Sequence, residues 1–287
     1  MPEGLILTML TKTDTLSNIL KNYRDNIILL SAFLLCYVPA LLWMWDRWFA
    51  RDSYYSHGIL IPFVCGYLIW QKKEELKQAK IESSPLGIWL IAGGLGVYLF
   101  SSLFRINFSA AFSIMPVLYG LILYGCGKEV FKKVFFPVTF LIFMLPLPSA
   151  AITEISFRMK LFAATIAQWS LNSMGLPAVQ EGSIIKMRHA YVIVDDVCSG
   201  LRSLISLMAL GTIFAYWMKT SLVKRVILFL STVPIAIITN VCRIIFLSFV
   251  SEIWGSQYAT GFIHDLSGFM VFALAFILLF GMGKLLE

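Results

Sequence analysis

Eight apolar runs divide this sequence, near 27–45, 58–70, 86–104, 108–125, 134–148, 199–218, 226–250 and 263–283. No other feature constrains the fold as tightly. A bilayer core about 30 Å thick is crossed by roughly 20 apolar residues in a helix. Lipid offers an unbonded peptide group no partner, so such runs must close their own hydrogen bonds. In a chain that is 59% hydrophobic and only 14% charged, they predict an all-α polytopic membrane protein with about eight transmembrane helices. The second and fifth are short. A soluble domain would carry about a quarter charged residues.

The runs form a single transmembrane domain over 1–287, with no appended soluble domain and no internal repeat. Residues 1–26 read as an amphipathic, cytoplasmic amino-terminal segment. No small-residue cleavage site accompanies the first run, which therefore reads as a retained helix. The largest piece outside the spans is the insertion at 149–198. Within it, 151–174 carries Glu154, Arg158, Lys160 and Gln168, a composition suited to an interfacial helix. Residues 179–196 are rich in β-branched side chains and predict a small β-hairpin with Arg188 and His189 near its bend.

Loop charges orient this layout. With the amino terminus inside, 14 of the 23 basic residues fall in inner loops and seven in outer ones. That asymmetry fits the positive-inside rule. It places both termini in the cytoplasm of a plasma (inner) membrane protein and turns 149–198 and 251–262 outward. The net charge of +7 records orientation against the bilayer, and no nucleic-acid partner is expected. The five cysteines lack paired spacing and there is no HExxH, so neither a metal site nor a cofactor is expected.

Three residues carry chemistry at the outer ends of the last three spans. Arg243 lies inside the seventh run, where an arginine costs about 2.5–3.5 kcal/mol on insertion scales. It either pairs structurally with a carboxylate or helix carbonyls, or marks a site. Asn240, three residues earlier on the same face, could orient its guanidinium. His264 opens the eighth run; a histidine there can cap, snorkel or move protons. Cys198 begins the sixth run within VDDVCSGLRSL (194–204). A helix amino terminus favours a thiolate there, Arg202 at i+4 adds positive potential, and Asp195 and Asp196 can cap the helix. The alternative for Cys198 is a buried thiol in a small-residue packing motif. Together, thiol, imidazole and guanidinium suit acyl transfer: a nucleophile, a proton shuttle and an oxyanion donor. His57, in YYSHGILIP, is either a substrate-cleft residue or part of the interfacial aromatic belt.

The blocks CSGLRS (198–203), NVCR (240–243), GFIHDLSG (261–268) and SHGILIP (56–62) resemble the signature of the exosortase/archaeosortase family, over roughly 40–280. The resemblance implies a membrane-embedded cysteine transpeptidase. Its partners would be exported, membrane-anchored proteins ending in a sorting signal: a short Pro-Glu-Pro-like motif, a transmembrane helix and a basic tail. Cleavage would pass through a thioester, with transfer to an acceptor that is a lipid or a glycan. The implied roles are Cys198 as nucleophile, Arg243 as second catalytic residue and His264 as third. Histidine at the third position is similar to the bacterial branch, often associated with exopolysaccharide functions. Ending at Glu287, the chain reads as a compact variant without an extra carboxy-terminal domain. Two other functions fit the residues: a membrane acyltransferase acting on lipid or polysaccharide, and a transporter using Arg243 as a binding charge.

Overall fold

The structure is a computed structural model that describes residues 28–51, 53–195, 199–259 and 261–287. Of the residues singled out above, Asp196 and Cys198 lie outside the described part, as does the amino-terminal segment 1–26. The chain is mostly helical (77%) with one small sheet. It divides into two compact units, Met1–Asp46 with Ile61–Leu145 and Arg47–Leu60 with Pro146–Glu287.

Among the described residues, five helices are long and apolar enough to cross a membrane: Ile28–Trp48, Leu86–Leu103, Asn107–Gly125, Leu222–Trp254 and Phe262–Leu286. A sixth span results if Gly127–Met144 and Ser149–Ser173 form one broken crossing. Five of the eight expected runs thus appear nearly where the sequence puts them, and the count of eight is not reached. The reasons are local. The run at 58–70 yields a helix of 12 residues, Leu60–Gln71, about 18 Å long at 1.5 Å per residue. The run at 134–148 straddles the end of Gly127–Phe140 and a 3-10 turn at Leu141–Met144. The run at 199–218 becomes Leu201–Trp217, 17 residues.

In the first unit, α1 (Ile28–Trp48), α2 (Leu60–Gln71), α3 (Lys73–Lys77), α4 (Leu86–Leu103), α5 (Asn107–Phe112), α6 (Ile114–Gly125) and α7 (Gly127–Phe140) follow one another. The pairing of α4 with α6 rests on small residues. A Cβ at Gly87 would come within 2.6 Å of the Gly120 carbonyl oxygen, and one at Gly94 within 2.5 Å of Val117. Gly87, Gly94 and Ser101 are buried at seven-residue spacing on α4. Close backbone approach over such a stripe is how helices gain contact where lipid supplies no hydrophobic drive. Trp89, Leu99 and Leu103 on the same helix are exposed, a face suited to lipid. Polar side chains add cross-helix bonds: Tyr37 Oη with Ser113 Oγ at 2.8 Å, and Tyr98 Oη to the Cys36 carbonyl at 2.7 Å.

The second unit comprises α8 (Ser149–Ser173), β1 (Val179–Glu181), β2 (Ile184–Lys186), β3 (Tyr191–Ile193), α9 (Leu201–Trp217), α10 (Leu222–Trp254) and α11 (Phe262–Leu286), and α8, β3, α9 and α11 all pack on α10. At 33 residues, α10 is about 50 Å long, longer than a bilayer core. One apolar cluster joins Ala163, Ala164, Ala167 and Leu171 of α8 to Ile185 of the sheet and to Val241 and Ile244 of α10. A second joins Leu207 of α9 to Leu228, Ile235 and Ala236 of α10 and to Ala275 and Leu279 of α11. The helix expected at 151–174 is thus present with one alanine-rich face buried against α10. Its exposed side carries the Glu154–Arg158 ion pair.

The expected hairpin is a three-stranded antiparallel meander in the order β1-β2-β3. Its registers pair Val179 with Lys186 and Ile184 with Ile193. Arg188 and His189 sit at the second bend, between β2 and β3. That bend is tied to the end of α10. The Ser251 and Ser256 hydroxyls donate to the Tyr191 carbonyl at 3.1 and 3.0 Å, and the His189 N–H donates to Glu252 Oε2 at 3.2 Å.

Candidate active site

Arg243 sits two-thirds of the way along α10, buried to 8% exposure, on the side that packs against α11. Three bonds to α11 hold it. Its Nε donates to Ser267 Oγ at 3.0 Å, and its Nη2 donates to the His264 carbonyl at 2.9 Å and to His264 Nε2 at 3.2 Å. Ser267 Oγ donates in turn to the same His264 carbonyl, at 2.7 Å. Room for the guanidinium comes from Gly268, whose Cβ would stand 3.2 Å from Nη2.

Arginine has donors only, so in this contact His264 Nε2 is the acceptor. The other ring nitrogen, Nδ1, faces Asp265 Oδ1 at 3.2 Å. The acceptors that hold Arg243 are a hydroxyl, a carbonyl and a ring nitrogen. The guanidinium therefore keeps its whole positive charge inside the protein, and these bonds are not the carboxylate pairing that a structural arginine would make.

The start of α9 meets α10 one turn from Arg243. Gly200 is its cap residue, at φ +81° and with no side-chain capping bond. A Cβ there would lie 2.9 Å from Asn240 Cγ. Position 200 therefore needs glycine twice, for its left-handed backbone and for space. Asn240 is buried beneath this turn. Ser199 Oγ accepts from the Leu201 N–H at 3.3 Å. We predict that Gly200→Val lowers the melting temperature of the detergent-solubilised protein. Strain and overpacking should together cost about 2–4 kcal/mol. Adding Asn240→Ala should recover part of the loss; no recovery would show that Asn240 is not what the new side chain meets.

One sequence expectation changes here. The helix begins at Leu201, and position 198, which Arg202 was expected to face, lies outside the described residues. Arg202 itself is half-buried in the first turn. Asp195 is exposed, outside any helix or strand, five residues before the cap residue. It does not cap α9, whose Leu201 N–H goes to Ser199 instead.

His57 lies in a 3-10 turn, Ser56–Ile59, and its Nδ1 is 3.1 Å from Ser206 Oγ on α9. Ser206 is four residues beyond Arg202. The preceding chain is fixed within the same unit. The Leu147 N–H donates to Tyr55 Oη at 3.1 Å, and Gly58 abuts the Trp48 indole. Burial pushes the Tyr55 phenol up, so it stays protonated. Sequence reasoning missed Ser267, Ser206 and Gly268. Ser267 was findable, since it follows His264 at i+3 and so shares its face. Among the described residues, no three His, Cys, Asp or Glu converge as a metal-ligand set.

Beside Arg243, an apolar cavity of about 320 Å³ opens between α10 and α11, lined among others by Cys242, Phe246, Ser267 and Met270. Its walls are almost wholly hydrocarbon, with one buried cation at the edge.

The family model described as transmembrane exosortase matches residues 28–281. The chain belongs to the transmembrane exosortase family. The match runs through both compact units and all the residues above. With membership comes a membrane transpeptidase role toward membrane-associated substrates that carry sorting signals. The apolar helices make this exosortase a multi-pass membrane protein. No curated protein and no solved structure matches the chain.

Proposed function

We propose that this exosortase cleaves the carboxy-terminal sorting signal of exported proteins at the outer face of the plasma membrane, with Cys198 as nucleophile, and passes the new carboxyl end to an acceptor. The observation that carries this reading is the buried, fully charged guanidinium of Arg243, held by α11 one turn from the Gly200–Asn240 contact.

The Cys198 sulfur attacks the carbonyl carbon of the scissile peptide bond, and the carbonyl oxygen takes up negative charge. A guanidinium already fixed by Ser267 and His264 needs no reorientation to meet that charge, which is the condition under which a donor contributes most. The C–N bond then breaks and the leaving amine takes a proton. An acceptor hydroxyl or amine attacks the thioester, loses its proton, and the C–S bond breaks. His264 stands beside this guanidinium, and once its Nε2 contact with Arg243 opens it can take and return the proton in both transfers. Its contact with Arg243 also makes it the group that orients the guanidinium. Arg202 adds positive potential at the start of α9, and His57, on the Ser206 side of α9, lines the approach for substrate.

The test is co-expression with a protein ending in motif, apolar helix and basic tail, followed by mass spectrometry of its carboxy terminus. Loss of the helix and tail, with added mass from an acceptor, is the expected result. A terminus left intact by the active protein overturns the reading for that signal. Hydrolysis without added mass would retain the nucleophile and remove the transfer step.

A further inference from the structure

Far from these residues in sequence, a cavity of about 380 Å³ lies in the first unit, where the turn before α4 meets the start of α7. Its lining includes Lys80, Lys128 and Lys132, together with Glu82, Glu129 and Ser84. The two backbones are locked side by side: Glu82 and Gly127 form a parallel bridge, and the Ser84 N–H donates to the Leu123 carbonyl at 3.0 Å. Pro85, the cap residue of α4, and Lys128, in the first turn of α7, both face the cavity. Neither helix start has a side-chain capping bond. Two positive dipole ends therefore converge on the same space.

An independent observation points to an occupant. Ser84 is 3% exposed, and its Oγ has no hydrogen-bond partner among the described residues. A buried hydroxyl left this way costs free energy that an acceptor would recover. The charges favour an anion. Glu129 is already engaged, with Oε2 accepting from the Lys80 N–H at 3.0 Å and Oε1 3.9 Å from Lys133 Nζ. Lys128 and Lys132 have no carboxylate partner among the described residues. The place is also specific: α4 enters a candidate span at Leu86, and the span Asn107–Gly125 ends just before α7. The cavity thus sits at the end of two apolar helices, the level at which lipid headgroups lie.

We propose that this cavity binds a phosphate group, and that the group belongs to the headgroup of an anionic phospholipid in the adjoining leaflet. The Ser84 hydroxyl donates to a phosphate oxygen, Lys128 and Lys132 supply charge, and the apolar flanks of α4 take the acyl chains. The site is independent of the transpeptidase chemistry and stands or falls without it.

The experiment uses the full chain in detergent, incubated with equal amounts of phosphatidylglycerol and phosphatidylcholine and read by native mass spectrometry. Wild type should retain phosphatidylglycerol in preference. A lysine beside an anionic bilayer surface contributes about fivefold in binding, so Lys128→Gln with Lys132→Gln should weaken retention roughly 25-fold. Both side chains are exposed, so the double variant should fold. Ser84→Ala, a loss of one oxygen, should weaken it by about threefold to tenfold. Equal retention of the two lipids, or unchanged retention in the lysine variant, overturns the proposal. A parallel arm adds millimolar inorganic phosphate without lipid. Stabilisation of wild type and not of the lysine variant, without lipid preference, would overturn the lipid source and assign the site to soluble phosphate.

Discussion

Cys198→Ala is expected to leave a co-expressed signal-bearing protein whole at its carboxy terminus, with processing reduced at least about 1,000-fold. The hydroxyls near this position are poor substitutes for the thiol. The start of α9 carries serines at 199, 203 and 206, and a serine hydroxyl is a far weaker nucleophile at its ordinary pKa than a thiolate. Two measurements separate a chemical role from a packing role. The variant should elute and melt like wild type, since exchanging a thiol for a methyl removes one small group. It should also bind signal-bearing protein without releasing the tail. Normal processing by Cys198→Ala would return the residue to the small-residue packing motif and leave the transporter and acyltransferase readings in contention.

Arg243→Lys is the second large effect. Arginine spans three acceptors at once, Ser267 Oγ and both the carbonyl and Nε2 of His264. A lysine ammonium keeps the charge but is a point donor on a narrower stem, and it cannot reproduce a planar fork. Loss of one fixed oxyanion donor costs about 100- to 1,000-fold in kcat, and a drop of that order is expected in the rate of tail release. KM should change far less, because the group acts on charge that exists only in the transition state. Thiol alkylation of Cys198 should persist in this variant, which distinguishes a missing oxyanion donor from a collapsed site. Near-normal kcat in Arg243→Lys would remove the oxyanion role and leave Arg243 as a structural clamp between α10 and α11.

The apolar cavity beside Arg243 gives these rates a structural setting. Its hydrocarbon walls, including Phe246 and Met270, lower the local dielectric and strengthen the attraction between a guanidinium and a developing oxyanion. Cys242 also lines this cavity and is a free thiol. It lies in mid-helix on α10, away from a helix start that would favour a thiolate, so blocking Cys242 should leave processing unchanged.

Much of the fold was legible because lipid is an exacting solvent. A peptide group that cannot be solvated must bond within its own helix. An apolar run long enough to span therefore declares itself without knowledge of its neighbours, as Leu86–Leu103 and Phe262–Leu286 do. The short runs at 58–70 and 134–148 are harder to read, because composition alone does not report that one helix stops at Gln71 or that a 3-10 turn at Leu141–Met144 follows Phe140. The candidate site was legible in part for the same reason. An arginine within an apolar run is costly, so Arg243 stood out, and His264 at a span end gained meaning from it.

The sequence by itself determined which residues are costly in a membrane, where the long helices run and which blocks mark the family. Only tertiary structure decided what those residues touch. Arg243 and His264 are 21 residues apart, and Gly200 and Asn240 are 40 apart. Whether such pairs meet depends on how each helix is rotated about its axis, and that rotation is set by packing against neighbours such as Leu207, Ile235 and Ala275. One-dimensional periodicity reports that a face is apolar, but not which partner it will meet. For that reason the contacts of Arg243 with His264 and Ser267, the approach of Gly200 to Asn240 and the start of α9 at Leu201 belong to the folded protein alone.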